Sequence, residues 1–219
     1  VISITHLPQI ASRGSVHYKV SKAETATGTI TDIRRLRFAV DMINGSPSDT
    51  GFGEKETEIL RKLSANSVKT SSFGRFLDTL SYSTGVCRER TYDGEPAMRL
   101  ERYIQPGREI EMSTETMNGV IRTAHLFEGI SPCGDPAPSV TGAVKTVLSE
   151  MVDIACDDAA SNGENRIGIT GGVSYNVPIT LMVRDLAKAR GMDGVTHCRI
   201  PNGDGGISTG QAAIALRRA

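Results

Sequence analysis

Apolar residues recur at helical spacing in several stretches of the chain and crowd into short β-rich runs elsewhere. Phe73, Phe76, Leu77, Leu80 and Tyr82 predict a helix that Thr70 or Ser71 can cap. Val144, Val147, Leu148, Met151, Ile154 and Ala155 predict an amphipathic helix over Val144–Ala160, ended by Ser161-Asn162-Gly163. Ile179, Met182, Val183, Leu186 and Ala189 predict another, with Asn176 as its cap, Pro178 in its first turn and Gly191 just past its end. A last helix is expected over Ser208–Leu216. Arg166–Thr170 and Val195–Ile200 read as strands, as do Val1–Thr5 and Val120–Glu128. Ile33–Ile43 and Glu54–Leu63 suit short helices. Asn44–Gly53 reads as a linker and Ser131–Ser139 as a proline-rich loop.

The order from Arg166 onward matters most. It gives two consecutive strand–loop–helix units, with Gly171-Gly172 in the first loop and Gly203-Asp204-Gly205-Gly206 in the second. Glycine lets a backbone approach a ligand closely, and a helix N-terminus offers N–H groups to phosphate oxygens. Asp204, flanked by glycines, can project toward a metal or a ribose. Either loop alone is ordinary turn chemistry. Two of them at the carboxyl ends of adjacent strands point to a ligand crevice. Fold class is therefore α/β, with a mixed or mostly parallel sheet and helices on both faces.

Composition narrows the setting. The 219 residues carry 25 basic and 25 acidic side chains, so no broad electrostatic pull toward nucleic acid or an anionic membrane is expected. The 4 cysteines, Cys87, Cys133, Cys156 and Cys198, form no CxxC pair, which argues against a zinc site and against a secreted disulfide framework and favours the cytoplasm. No apolar run is long enough to span a membrane. His125 stands alone and reads as structural, and an Arg75–Asp78 pair three residues apart reads as a surface ion pair. The chain opens on Val1 within a strand-like run, as expected of a fragment.

Two resemblances add to this. The loops TGGVSYN (170–176) and HCRIPNGDGGISTGQA (197–212), with TSSFGRFLDTLSYSTG (70–85) and YDGEPAMRLE (92–101), resemble the C-terminal part of the HypF carbamoyltransferases, over about residues 70–215. The resemblance implies an actin-like (ribonuclease H-like) half-domain spanning 54–219. It also implies transfer of a carbamoyl group from carbamoyl-adenylate to the C-terminal cysteine thiol of a partner protein during [NiFe]-hydrogenase maturation. ATP or carbamoyl-adenylate would be the bound nucleotide. Asp78, Gly94 and Glu101 would contact the nucleoside, Gly171, Gly172 and Asn176 would line the nucleotide loop, and Asp204 would join two histidines on a divalent metal, Fe or Zn. The chain departs from the family pattern at Arg99, where a Glu is usual, and at Gly203, which shifts the Asp204 loop by one residue. It has no HxxxH or HHxxH. One carboxylate cannot hold a catalytic ion alone, so the chain by itself is expected to be inactive or weak.

The second resemblance is to the DNA-repair ATPase RecN, whose switch-histidine region ITHLPQIA is similar to residues 4–11 and whose likeness extends toward Leu36. It implies that residues 1–50 have a separate origin, but the phosphate loop such an ATPase requires is absent. The alternatives to the carbamoyltransferase reading are a tRNA threonylcarbamoyl-transferase-like enzyme and a non-catalytic ATP-binding or repair-ATPase module. ATP binding without carbamoyl transfer would favour the last.

Overall fold

Residues 72–117 and 120–217, with Lys55, Glu58 and Ile59, are described by the computed structural model. The expected strand at Val1–Thr5, His6, the helix over Ile33–Ile43, the linker, Thr70 and Ser71 lie outside the described residues, as does most of Glu54–Leu63. Among the described residues the chain divides into two compact units, with the boundary between Val147 and Leu148.

The first unit is built on helix α1, Phe73–Ser83. Its apolar spacing puts Phe73, Phe76, Leu77 and Leu80 in the core with Leu100, Leu126 and Phe127. The Phe76 and Phe127 rings meet edge to face, 5.9 Å between centroids. The hydroxyls of Thr79, Ser83 and Thr84 donate back to the carbonyls four residues earlier, so they sit in or beside a helix without an unmet donor. Helix α2, Glu95–Leu100, starts after Gly94, whose φ of 82° is left-handed and suits glycine.

The stretch expected as one strand, Val120–Glu128, divides in two. Strand β2, Val120–Arg122, pairs antiparallel with β1, Glu115–Met117, and Ala124–Phe127 then coils into a 3₁₀ turn. That turn buries Leu126 and Phe127 side by side, which strand alternation would not allow.

Helix α3 runs Ala137–Ser161, so it begins inside the loop expected at Ser131–Ser139. Pro138 sits in its first turn, where the missing N–H costs little, and the Asp135 carboxylate accepts from the Ala137 N–H at 3.0 Å. Thr141, fully buried, donates to the Tyr103 carbonyl and accepts from the Gln105 N–H, each at 2.9 Å. Gly142 lies against the Ile110 carbonyl; a Cβ there would come within 2.5 Å of it. The later part of α3 belongs with the second unit, where Leu148, Val152 and Cys156 are buried. Ile154, expected inward, is exposed: the buried stripe follows Leu148, Val152 and Cys156 at spacing four and leaves it on the far side.

In the second unit β3, Arg166–Gly168, pairs parallel with β4, Asp193–Val195, and helix α4, Val177–Ala189, connects them. Its apolar face buries Ile179, Met182, Val183 and Ala187. Gly194 has only hydrogen toward α4; a Cβ would stand 2.9 Å from the Arg184 Cα. The second strand thus lies earlier than the expected Val195–Ile200, and 196–200 is an irregular approach to the second loop. Helix α5, Ile207–Leu216, closes the described chain and buries none of its residues. The class is α/β. Among the described residues the strands form one antiparallel and one parallel pair. No helix among them is long and apolar enough to cross a membrane.

Candidate functional site

In the second unit the two glycine loops are joined to one another. Gly171 has φ 94° and ψ 177°, a backbone region open to glycine alone, and it turns the chain from β3 into a 3₁₀ turn over Gly172–Tyr175. Asn176 then caps α4: its Oδ1 accepts from the Ile179 N–H at 3.1 Å, as its sequence position predicts. From the second loop, the Asn202 carbonyl accepts from the Gly171 N–H at 2.8 Å and from the Thr170 hydroxyl at 3.1 Å. The Asn202 side-chain amide donates to the Ser174 carbonyl at 3.1 Å. The Gly203 N–H donates to the Tyr175 hydroxyl at 3.1 Å, and a Cβ on Gly203 would stand 2.8 Å from that ring. His197 Nε2 lies 2.8 Å from the Thr170 hydroxyl.

So Gly171, Gly172 and Asn176 on one loop are brought together with the loop that carries Asp204. Asp204 itself is exposed, at the start of a 3₁₀ turn over Asp204–Gly206. Among the described residues no three His, Cys, Asp or Glu side chains converge to hold a metal ion, at Asp204 or elsewhere. Asp204 would need further ligands to hold a divalent ion.

The first unit carries the other expected residues. The Arg75–Asp78 pair is not the surface pair its spacing suggests. The Asp78 side chain is 6% exposed, with Arg75 Nη1 2.8 Å from its Oδ2. The guanidinium lies off the direction of a hydrogen bond, so Oδ2 is charge-compensated but receives no donor. Burial pushes the Asp78 carboxyl up to about 6; Arg75 opposes the shift and Asp93 adds to it. Gly94 opens α2, and a Cβ there would meet nothing within 4 Å. Glu101 is half-buried in the 3₁₀ turn that follows α2.

Two sets of groups had no role in the sequence reading. Glu95 is fully buried, accepts from the Thr91 N–H at 2.5 Å and its hydroxyl at 3.0 Å, and pairs with Arg99 at 2.6 Å. These donors, the Thr91 N–H first, hold its carboxyl below the usual carboxylate range. Arg99, unusual for the family pattern, is thus the partner of a buried acid. The signal was an acid and an arginine four apart across the first turn of a helix. Thr170, Tyr175, His197 and Asn202, which join the loops, all lie inside the quoted motifs, but nothing in a linear sequence pairs them.

The family model for the carbamoyltransferase Kae1-like domain, second subdomain, matches residues 6–211. The probable carbamoyltransferase HypF of Methanocaldococcus jannaschii is 37% identical over 173 residues, 75% of this chain and 23% of that protein. The carbamoyltransferase HypF of Rhodobacter capsulatus is 28% identical over 176 residues, 78% of this chain and 23% of that protein. The chain therefore spans about a quarter of the length of these relatives. Full-length HypF in its phosphate- and nucleotide-bound form shares the fold at TM-score 0.71 and 24% identity, over 83% of this chain and 31% of that one. HypF of T. kodakarensis does so at 0.67 and 26%, over 83% and 26%. The actin-like class expected from the motifs is thus the observed one, and with the family model matching most of its length the chain belongs to the HypF carbamoyltransferase family, as the second subdomain of its Kae1-like domain.

Proposed function

We propose that this chain supplies part of the nucleotide-binding machinery of a carbamoyltransferase acting in [NiFe]-hydrogenase maturation. The carbamoyl group would pass from carbamoyl-adenylate to the C-terminal cysteine thiol of a partner protein, in the cytoplasm. The observation that carries the reading is the joined loop pair: Gly171 in a glycine-only conformation, held to Asn202 of the Asp204 loop, in a chain of this family. Such a loop, ahead of a capped helix, is suited to phosphate oxygens. Asp78, Gly94 and Glu101 are proposed as nucleoside contacts. A carboxylate, which only accepts, suits the hydroxyls of a ribose. Residues 54–219 are proposed as the nucleotide-binding domain. Any metal would need ligands beyond those described.

Calorimetric titration of the chain with ATP, with and without a divalent ion, tests this. Saturable binding that Asp78→Ala weakens by about tenfold, the worth of roughly one good hydrogen bond to a charged group, is expected. A flat titration of the folded wild-type chain would overturn the reading.

A further inference from the structure

The hydrogen bonds between the loops fix a direction of proton donation that assigns a role to His197. The Thr170 hydroxyl donates to the Asn202 carbonyl, so its one proton is spent. The 2.8 Å contact to His197 Nε2 must then run the other way, with the ring N–H donating to the hydroxyl oxygen. His197 therefore heads a relay in which the imidazole holds Thr170 and Thr170 holds the Asn202 carbonyl. The same carbonyl also accepts the Gly171 N–H, at 2.8 Å. Two further bonds, Asn202 Nδ2 to the Ser174 carbonyl and the Gly203 N–H to the Tyr175 hydroxyl, run beside it. Each ties the loop after β4 to the loop after β3.

From this geometry we infer that His197 is a positioning residue: through Thr170 it holds the Asp204 loop in register with the Gly171 loop. It is not a ligand or proton acceptor through Nε2. The neutral ring carries its proton on Nε2 and keeps its lone pair on Nδ1. The inference deepens the nucleotide reading of these loops and rests on it only for its consequence in binding; the relay itself is testable without nucleotide.

The experiment takes the full chain and reads three quantities: the imidazole ¹⁵N shifts of His197, amide exchange at Gly171, and ATP affinity. The Nε2–H tautomer is expected. His197→Ala and Thr170→Val should each speed exchange at Gly171 roughly three- to tenfold, the worth of one ordinary hydrogen bond. The double variant should go no further than either single one, because both break the same relay. His197→Gln, which keeps a donor, and Thr170→Ser, which keeps the hydroxyl, should restore slow exchange. ATP affinity should fall and recover in parallel. An Nδ1–H tautomer, unchanged Gly171 exchange in a folded His197→Ala, or additive effects in the double variant would each overturn the inference. A wild-type chain that shows the exchange pattern but binds no ATP would leave the relay standing and sink the nucleotide reading.

Discussion

The two units handle polar groups in opposite ways. Around α1 and α2, carboxylates are carried into the interior: Asp78 and Glu95 are both buried, one compensated by charge alone and the other fully donated to. Around the loops after β3 and β4, Ser174 and Asn176 are buried but the other joining groups are half-buried or exposed, and backbone N–H and C=O groups do most of the holding. The first arrangement depends on which side chains surround a buried charge. The second depends on which φ and ψ the chain can adopt. Packing loss should therefore dominate the first region, backbone strain the second, and protonation should separate Asp78 from Glu95.

The largest effect is expected from Leu80→Ala. Leu80 is fully buried on α1, and truncation there costs about 2–5 kcal/mol. Denaturant unfolding followed by the near-UV signal of the first unit should show it; a shift worth less than 1 kcal/mol would mean that this core is not packed as described. Gly171→Ala comes next. A side chain at φ 94°, ψ 177° costs on the order of 1–3 kcal/mol, confined to the loops. Faster amide exchange across 170–176, with the first unit's protection unchanged, is the expected pattern; equal loss in both units would erase the distinction between them.

The smallest effect, and the one that sharpens the comparison most, comes from Asp78→Asn. Because the folded carboxyl sits at about 6, above its ordinary 3.8, the folded state keeps a proton that the unfolded chain has released across that interval. This group's contribution is therefore fully present at and below pH 3.8, falls as pH rises through 6, and stays low above it. Asn carries no charge, so the variant should gain stability relative to wild type as pH rises across the same window. Melting both proteins at pH 4.5 and 7 would check it, and a difference that does not change with pH would show that Asp78 is solvated. Glu95 runs the other way, since its depressed carboxyl contributes stability that is lost on acidification. The comparison must therefore be between variant and wild type.

This division also explains what a linear sequence reveals. Asn176 as a cap, the strand break at Gly171-Gly172 and most of the buried face of α4 were legible, because each follows from residue type and local spacing; Ala189, expected on that face, is exposed, and Ala187 is buried in its place. The burial of Asp78 was not. An Arg and Asp three apart on a helix look the same on a surface as in a core, and only the tertiary neighbours decide. The 120–128 stretch failed for a related reason: its apolar residues suit a strand, but a 3₁₀ turn let Leu126 and Phe127 enter one core together. Joining His197 to Thr170, 27 positions apart, required β3 and β4 to lie side by side.

Gly172 differs in kind from its neighbour. Gly171 is forced by its backbone angles, whereas Gly172 lacks a left-handed φ and faces space where a Cβ would touch nothing within 4 Å. Folding alone gives it no reason to remain glycine. Over generations, selection for a stable fold would leave position 172 free to drift toward residues with side chains, while selection for close approach of a bound molecule would hold it still. The variation tolerated at that one position is thus a record of binding kept separate from the record of stability.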